Sequence, residues 1–146
     1  VGLTQLPTSG RVFIDTNVLI YVGETVTPWF DLVRPLFEAH ERGELYLVAS
    51  EIIVPEVLVL PLRAGDAELR RFYEMTLFGP DGMELLPVTL PVLLRAAELR
   101  ASASLKTPDA IHLATVERHA ADAFVTNDAD MADVATVPTL LLHELG

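Results

Sequence analysis

The stretch Val12-Phe13-Ile14-Asp15-Thr16-Asn17-Val18-Leu19-Ile20 decides how the chain is read. Its first three residues are a short run of strand-forming apolar side chains, which predicts a buried strand. Asp15, Thr16 and Asn17 follow as three successive side chains of the helix-capping type. The apolar residues from Leu19 to Val22 then begin a helix. A strand that ends on an aspartate and turns into a helix is the first unit of an alternating α/β chain.

The alternation continues to the end. Pro28 to Glu41 predicts an amphipathic helix with Trp29, Leu32, Val33, Leu36 and Phe37 on one side and Pro35 in its middle. Leu45 to Ala49 predicts a strand. Pro55 to Ala64 predicts a helix that Pro61 kinks or ends, and Ala67 to Leu77 another, stopped by Gly79-Pro80. A strand over Glu84 to Val88 precedes a helix over Val92 to Ala103. Thr107 is expected as the N-cap, and Pro108 as the first residue, of a helix reaching His119. Ala123 to Thr126 and Thr139 to Leu142 are the last expected strands. Strands alternating with helices imply an α/β fold, with a mostly parallel sheet covered on both faces. Right-handed crossovers then align the strand C-termini along one rim, where open α/β sheets hold ligands.

The chain has 146 residues, 51% hydrophobic and 21% charged. That predicts one domain over 1–146 with a substantial core, residues 1–10 being flexible. No repeat or linker divides it. There is no cysteine, so any metal must be held by oxygen or imidazole. Val1 to Gly10 lacks the features of a signal peptide, and the longest apolar run, Val57 to Leu62, contains Pro61 and is too short to span a bilayer. The expectation is a cytoplasmic chain with no membrane partner. The net charge is −11, from 10 basic and 21 acidic residues, and Lys106 is the sole lysine. Such a charge opposes non-specific attraction to phosphates, although divalent cations bound at an acidic site change the local field.

Four acids fall at equivalent points of the expected topology. Asp15 follows Val12-Phe13-Ile14, and Asp128 follows Phe124-Val125-Thr126-Asn127. Glu56 and Asp109 each follow a proline, which favours a helix's first turn. Strand C-ends and helix N-ends share one rim of a parallel α/β sheet, so all four carboxylates are expected to converge. Singly, each is explained as a cap, a turn residue or a partner of the helix dipole worth about 0.3–1 kcal/mol. Together they repel, and hard cations such as Mg²⁺ or Mn²⁺ relieve that repulsion with oxygen ligands. Two such ions about 3.5–4 Å apart support in-line displacement at a phosphodiester.

Phe13-Ile14-Asp15-Thr16-Asn17-Val18-Leu19-Ile20 resembles the opening motif of the PIN-domain nucleases. Ser50 to Glu56 resembles their second motif, Thr107-Pro108-Asp109-Ala110-Ile111-His112-Leu113-Ala114 their third, and Val125-Thr126-Asn127-Asp128-Ala129-Asp130 their fourth. The resemblance runs in order over nearly the whole chain. It implies a three-layer α/β/α fold with four to five strands, Mg²⁺ or Mn²⁺ as cofactor, and RNA as substrate. It further implies Asp15, Glu56, Asp109 and Asp128 as metal ligands, Asp130 as a weaker candidate, and Asn17 and Thr126 as groups that orient the carboxylates. The length resembles that of the VapC toxins of VapBC toxin–antitoxin pairs, which implies a cognate antitoxin and a homodimer.

Three other features have two readings each. Arg63, Arg70 and Arg71 are expected to be a solvated helix face rather than a phosphate grip. His112, three residues after Asp109, is expected to be packed or exposed rather than a ligand. Leu58, Leu60, Leu62, Phe72, Tyr73, Leu77 and Phe78 read as core, or as a dimer interface or antitoxin groove. The competing function is a PIN scaffold that binds a partner without turnover. A phosphatase of the haloacid-dehalogenase kind would want an acid where Asn17 stands, and no P-loop is present.

Overall fold

The computed structural model describes residues 2–145; Val1 and Gly146 lie outside the described residues. Its strands are β1 (Arg11–Ile14), β2 (Tyr46–Ser50), β3 (Glu84–Leu86), β4 (Ala123–Thr126) and β5 (Thr139–Leu141). Its helices are α1 (Thr16–Gly23), α2 (Trp29–Glu41), α3 (Ile53–Ala64), α4 (Ala67–Phe78), α5 (Leu90–Ser102), α6 (Thr107–His119) and α7 (Ala129–Val134), and a 3₁₀ turn spans Leu142–Glu144.

The strands form one sheet in the order β3-β2-β1-β4-β5, and every pairing is parallel. The chain steps from β1 outward through β2 to β3, then crosses to the other side of β1 to lay down β4 and β5. The direction of winding therefore reverses between β1 and β4. Right-handed crossovers put helices made before the reversal on one face and those made after it on the other. The core divides accordingly. Val12, Ile14, Leu47, Ala49 and Val125 pack with residues of α1 to α4. Phe13, Val48 and Phe124, pointing the opposite way, pack with α5, α6 and Met131 of α7. The result is a three-layer α/β/α fold. Both sheet faces are covered, which is why the strands read as continuous apolar runs rather than as alternating ones.

Local details depart from expectation where a side chain has a better partner. Thr107 is the first residue of α6, not its cap; Lys106 holds the cap position in extended conformation. The Thr107 hydroxyl instead accepts from Arg100 Nη1 at 2.9 Å. Helix α3 starts at Ile53, so Pro55 is its third residue. It is tolerated there because the first four helical N–H groups have no carbonyl partner in the helix. Pro61 does not end α3, nor does Pro35 end α2. The Asn127-Asp128-Ala129-Asp130 segment is not a plain turn but the start of α7. At the N-terminus, Gly2 bridges Thr139 and the Leu3 amide donates to the Thr139 carbonyl at 2.8 Å. No helix among the described residues is long and apolar enough to cross a membrane.

The apolar middle helices serve two ends. Tyr73 and Leu77 are buried, whereas Leu60, Leu62, Phe72 and Phe78 are exposed. Tyr73 packs where α4 meets α1. A Cβ on Gly23 would stand 2.6 Å from the Tyr73 ring and hydroxyl, and Tyr73, 1% exposed, has no room to withdraw. Gly23→Ala is expected to cost about 1–3 kcal/mol through overpacking, read as a lower urea midpoint. An unchanged midpoint would show that the α1–α4 contact yields.

Candidate active site

Asp15 stands one residue beyond β1, at the C-terminal rim of the central strand. Its Oδ1 caps α1, accepting the Val18 amide at 3.3 Å. Its Oδ2 accepts the hydroxyl of Thr126, the last residue of the neighbouring β4. Asp15 as a whole is 4% exposed. Burial pushes its pKa up to about 6, and the Asp109 charge adds to the rise; the bonds from Thr126 and Val18 and the charge of His112 work against it.

Asp128 lies across the switch between β1 and β4. Its Oδ1 caps α7, accepting the Asp130 amide at 2.9 Å and the Met131 amide at 3.2 Å. The Asp128 amide donates to Thr126 Oγ1 at 3.0 Å, so one threonine hydroxyl joins the two aspartate segments. Asn127 braces the same turn, donating to the Tyr21 hydroxyl and accepting the His143 amide.

Asp109 is in the first turn of α6. Burial raises its pKa above the ordinary carboxyl value, followed by the neighbouring charge of Asp128 and a smaller push from Glu56; His112 and Lys106 pull it down. Glu56 is in the first turn of α3. Burial is the largest influence on it and acts upward, but the bonds from His112 and Thr16, with the His112 charge, outweigh it and hold the carboxyl below its ordinary value. Three of the acids thus differ in kind: burial and neighbouring charge make Asp15 and Asp109 harder to ionise, while its hydrogen bonds make Glu56 easier to ionise.

Asp15, Glu56, Asp109 and Asp128 line one cavity of about 510 Å³, with Thr16, Asn17 and His112 between them and Ile20, Val59 and Met131 as apolar wall. Asp130 faces instead an adjoining cavity that shares Asp109 and Asp128. Among the described residues no three acidic or imidazole groups already close on a point as a preformed metal cage would. The carboxylates stand around the wall, several of their oxygens held by the hydrogen bonds above.

Two neighbours of the acids were not singled out in the sequence for this place. Asn17 lines the cavity, but the hydroxyl that reaches Glu56 belongs to Thr16. His112, 2% exposed, has Nε2 at 2.9 Å from Glu56 Oε1 and 3.1 Å from Thr16 Oγ1. Its Nδ1 is buried without a partner. An unpartnered N–H is costlier than an unpartnered lone pair. In the neutral imidazole the proton is therefore assigned to Nε2, donating to Glu56, and the protonated ring donates there as well. The signal was the three-residue step from Asp109 to His112, which brings both to adjoining parts of α6. Nothing in the sequence tied that step to α3.

A PIN domain family model matches residues 12–137. The chain belongs to the PIN-domain family. No curated protein matches it in sequence. Solved structures share its fold. A toxin–antitoxin complex from Klebsiella pneumoniae is 24% identical with a TM-score of 0.60, covering 86% of this chain and 94% of that one. VapBC2 from Rickettsia felis, bound to a DNA fragment from its promoter, is 13% identical with a TM-score of 0.65, covering 88% and 96%. VapC20 from Mycobacterium tuberculosis, described as a sarcin-ricin loop cleaving toxin, is 14% identical with a TM-score of 0.68, covering 84% and 93%. Strands β2, β3 and β4, all of β1 but Arg11, and the four acids of this PIN domain lie within the residues that the family model matches; β5 lies beyond them.

Because Asp15 has a higher pKa folded than the ordinary aspartate value of 3.8, the folded chain binds its proton more tightly than the unfolded one does. Its favourable contribution is present below about pH 4 and is lost as the pH rises through about 6. Asparagine keeps a capping oxygen without the charge. In the presence of chelator, Asp15→Asn is expected to raise Tm by a few degrees at pH 7, with the gap to the parent closing below pH 4. A variant that melts below the parent at pH 7 would contradict the burial cost assigned to this carboxyl.

Proposed function

We propose that this PIN domain is a divalent-metal-dependent endoribonuclease and the toxin of a toxin–antitoxin pair. The observation that carries the reading is the shared cavity: four carboxylates from four separate segments line it at the β1–β4 switch. Two of the four are held above the ordinary carboxyl value, the condition a cation relieves. The donor set is oxygen with one imidazole, which suits Mg²⁺ or Mn²⁺. A loose arrangement also suits Mg²⁺, which keeps several of its waters and takes few carboxylates directly.

Asp15, Glu56, Asp109 and Asp128 would hold the metal. When bound, it supplies the Lewis acidity and charge neutralisation that phosphodiester hydrolysis requires. The chain's own groups do the rest. Thr126 fixes Asp15 in one orientation. Thr16 and His112 fix Glu56 through Oε1, leaving Oε2 without a bond among the described residues. That free oxygen is the one Glu56 would offer to a cation in the cavity. Ile20, Val59 and Met131 form the apolar part of the cavity wall.

The structural relatives, among them toxin–antitoxin complexes and a toxin that cleaves the sarcin-ricin loop, support RNA as substrate and a cognate antitoxin as partner. The exposed apolar side chains of α3 and α4, including Leu60, Leu62, Met75 and Phe78, support a homodimer. Work in the cytoplasm, where RNA is available, completes the reading.

The purified protein is expected to cleave RNA with Mg²⁺ or Mn²⁺ and to stop when EDTA is added. Asp15→Asn and Asp109→Asn should each lower the rate by more than about 100-fold, with Tm not below that of the parent. His112→Ala should lower it by about 10–100-fold by loosening Glu56, with weaker metal binding by calorimetry. A parent that leaves RNA intact with either cation would favour a PIN scaffold that binds without turnover.

A further inference from the structure

The acid-lined cavity does not end at Asp109 and Asp128. A second cavity of about 620 Å³ continues from these two residues toward the α5–α6 turn, where Arg100, Ser104 and Lys106 line it. We propose that this second cavity is a phosphate subsite, in which Lys106 and Arg100 hold a backbone phosphate of single-stranded RNA next to the one at the four acids. The proposal rests on the nuclease reading and deepens it by giving the substrate strand a path.

Three observations carry it. The first is where positive charge is left available. The chain has 10 basic residues against 21 acidic ones. Arg11, Arg42, Arg70 and Arg95 are paired with carboxylates. Lys106 and Arg100 are exposed and form no ion pair among the described residues, although three aspartates line the same cavity. The second is that Arg100 is held ready. Its Nε donates to the Leu105 carbonyl at 3.1 Å and its Nη1 to Thr107 Oγ1 at 2.9 Å. The guanidinium is fixed beside the turn, so little side-chain freedom is lost when its remaining N–H groups meet an anion. The third is proximity: Lys106 holds the cap position of the helix whose first turn carries Asp109, and it lines the same cavity as Asp109 and Asp128.

A strand with one phosphate at the acids has its neighbouring phosphates a nucleotide away, and a cation on that path offsets the repulsion of an acidic surface. The mixed lining also suits the charge pattern: acids where metal is wanted, bases where phosphate is wanted. Ser104 adds a hydroxyl that can donate to phosphate oxygen.

The test measures binding without cleavage, in the Asp15→Asn background with Mg²⁺ present. The probe is a fluorescein-labelled single-stranded RNA about a dozen nucleotides long. Adding Lys106→Gln is expected to weaken binding by about fivefold to tenfold and to reduce the slope of log Kd against log salt by about 0.7. Arg100→Gln should act in the same direction. Arg118→Gln, an equal charge change at the far end of α6, should alter Kd by less than about twofold. Should Arg100→Gln fail to fold, the exposed Lys106 still decides the matter. Binding unchanged by Lys106→Gln, or weakened equally by Arg118→Gln, overturns the subsite. So does a polyglutamate peptide that binds as tightly as the RNA and loses the same factor. RNA cleavage by the parent protein is a separate readout: its absence would sink the nuclease reading, whereas binding still decides the subsite.

Discussion

A carboxyl group buried at the end of the central strand sets the terms for everything around it. Asp15 has lost nearly all contact with water, and an uncompensated buried charge is among the costliest features a fold can hold. The structure offers it one amide, one hydroxyl and a nearby imidazole, then surrounds it with further acids. At neutral pH the protein is therefore under electrostatic tension at one place. The hydrophobic layers on both sides of the sheet hold that place together. Parallel strands buried on both faces supply the rigidity, and the reversal of winding between β1 and β4 supplies the crevice.

The same side chains serve the helices and the site. Asp15 caps α1 and Asp128 caps α7, so the ordinary explanation of each residue holds and is compatible with the chemical one. A cap uses one oxygen; the cavity has the use of the carboxylate charge. This economy explains why a strand-end aspartate is weak evidence alone. Its position recurs in many α/β turns, and only the company it keeps distinguishes it.

Much of the fold was legible because parallel α/β chains write their elements as apolar runs separated by helical periods. The strands, and the convergence of strand ends with helix starts, followed from that pattern. The four acids share a cavity for the reason the topology suggested. What the sequence hid were contacts between segments. His112 meets Glu56 across 56 residues, and no periodicity on α6 announces a partner on α3. Thr107 was an attractive cap by residue type until Arg100 took its hydroxyl. Helix α7 is only six residues long, too short for a hydrophobic period to declare itself. The basic residues beside the acids were equally silent, because Arg100 and Lys106 belong to a turn whose direction depends on how α5 and α6 pack.

The closing bond from Thr126 to Asp15 spans 111 residues. During synthesis the first strand emerges long before its fourth-strand neighbour, and domains fold as units as their chain becomes available. A nascent chain that has not yet delivered β4 and α7 lacks two walls of the acid cavity. A ribosome-borne chain that stops short of Asp128 therefore carries no finished site.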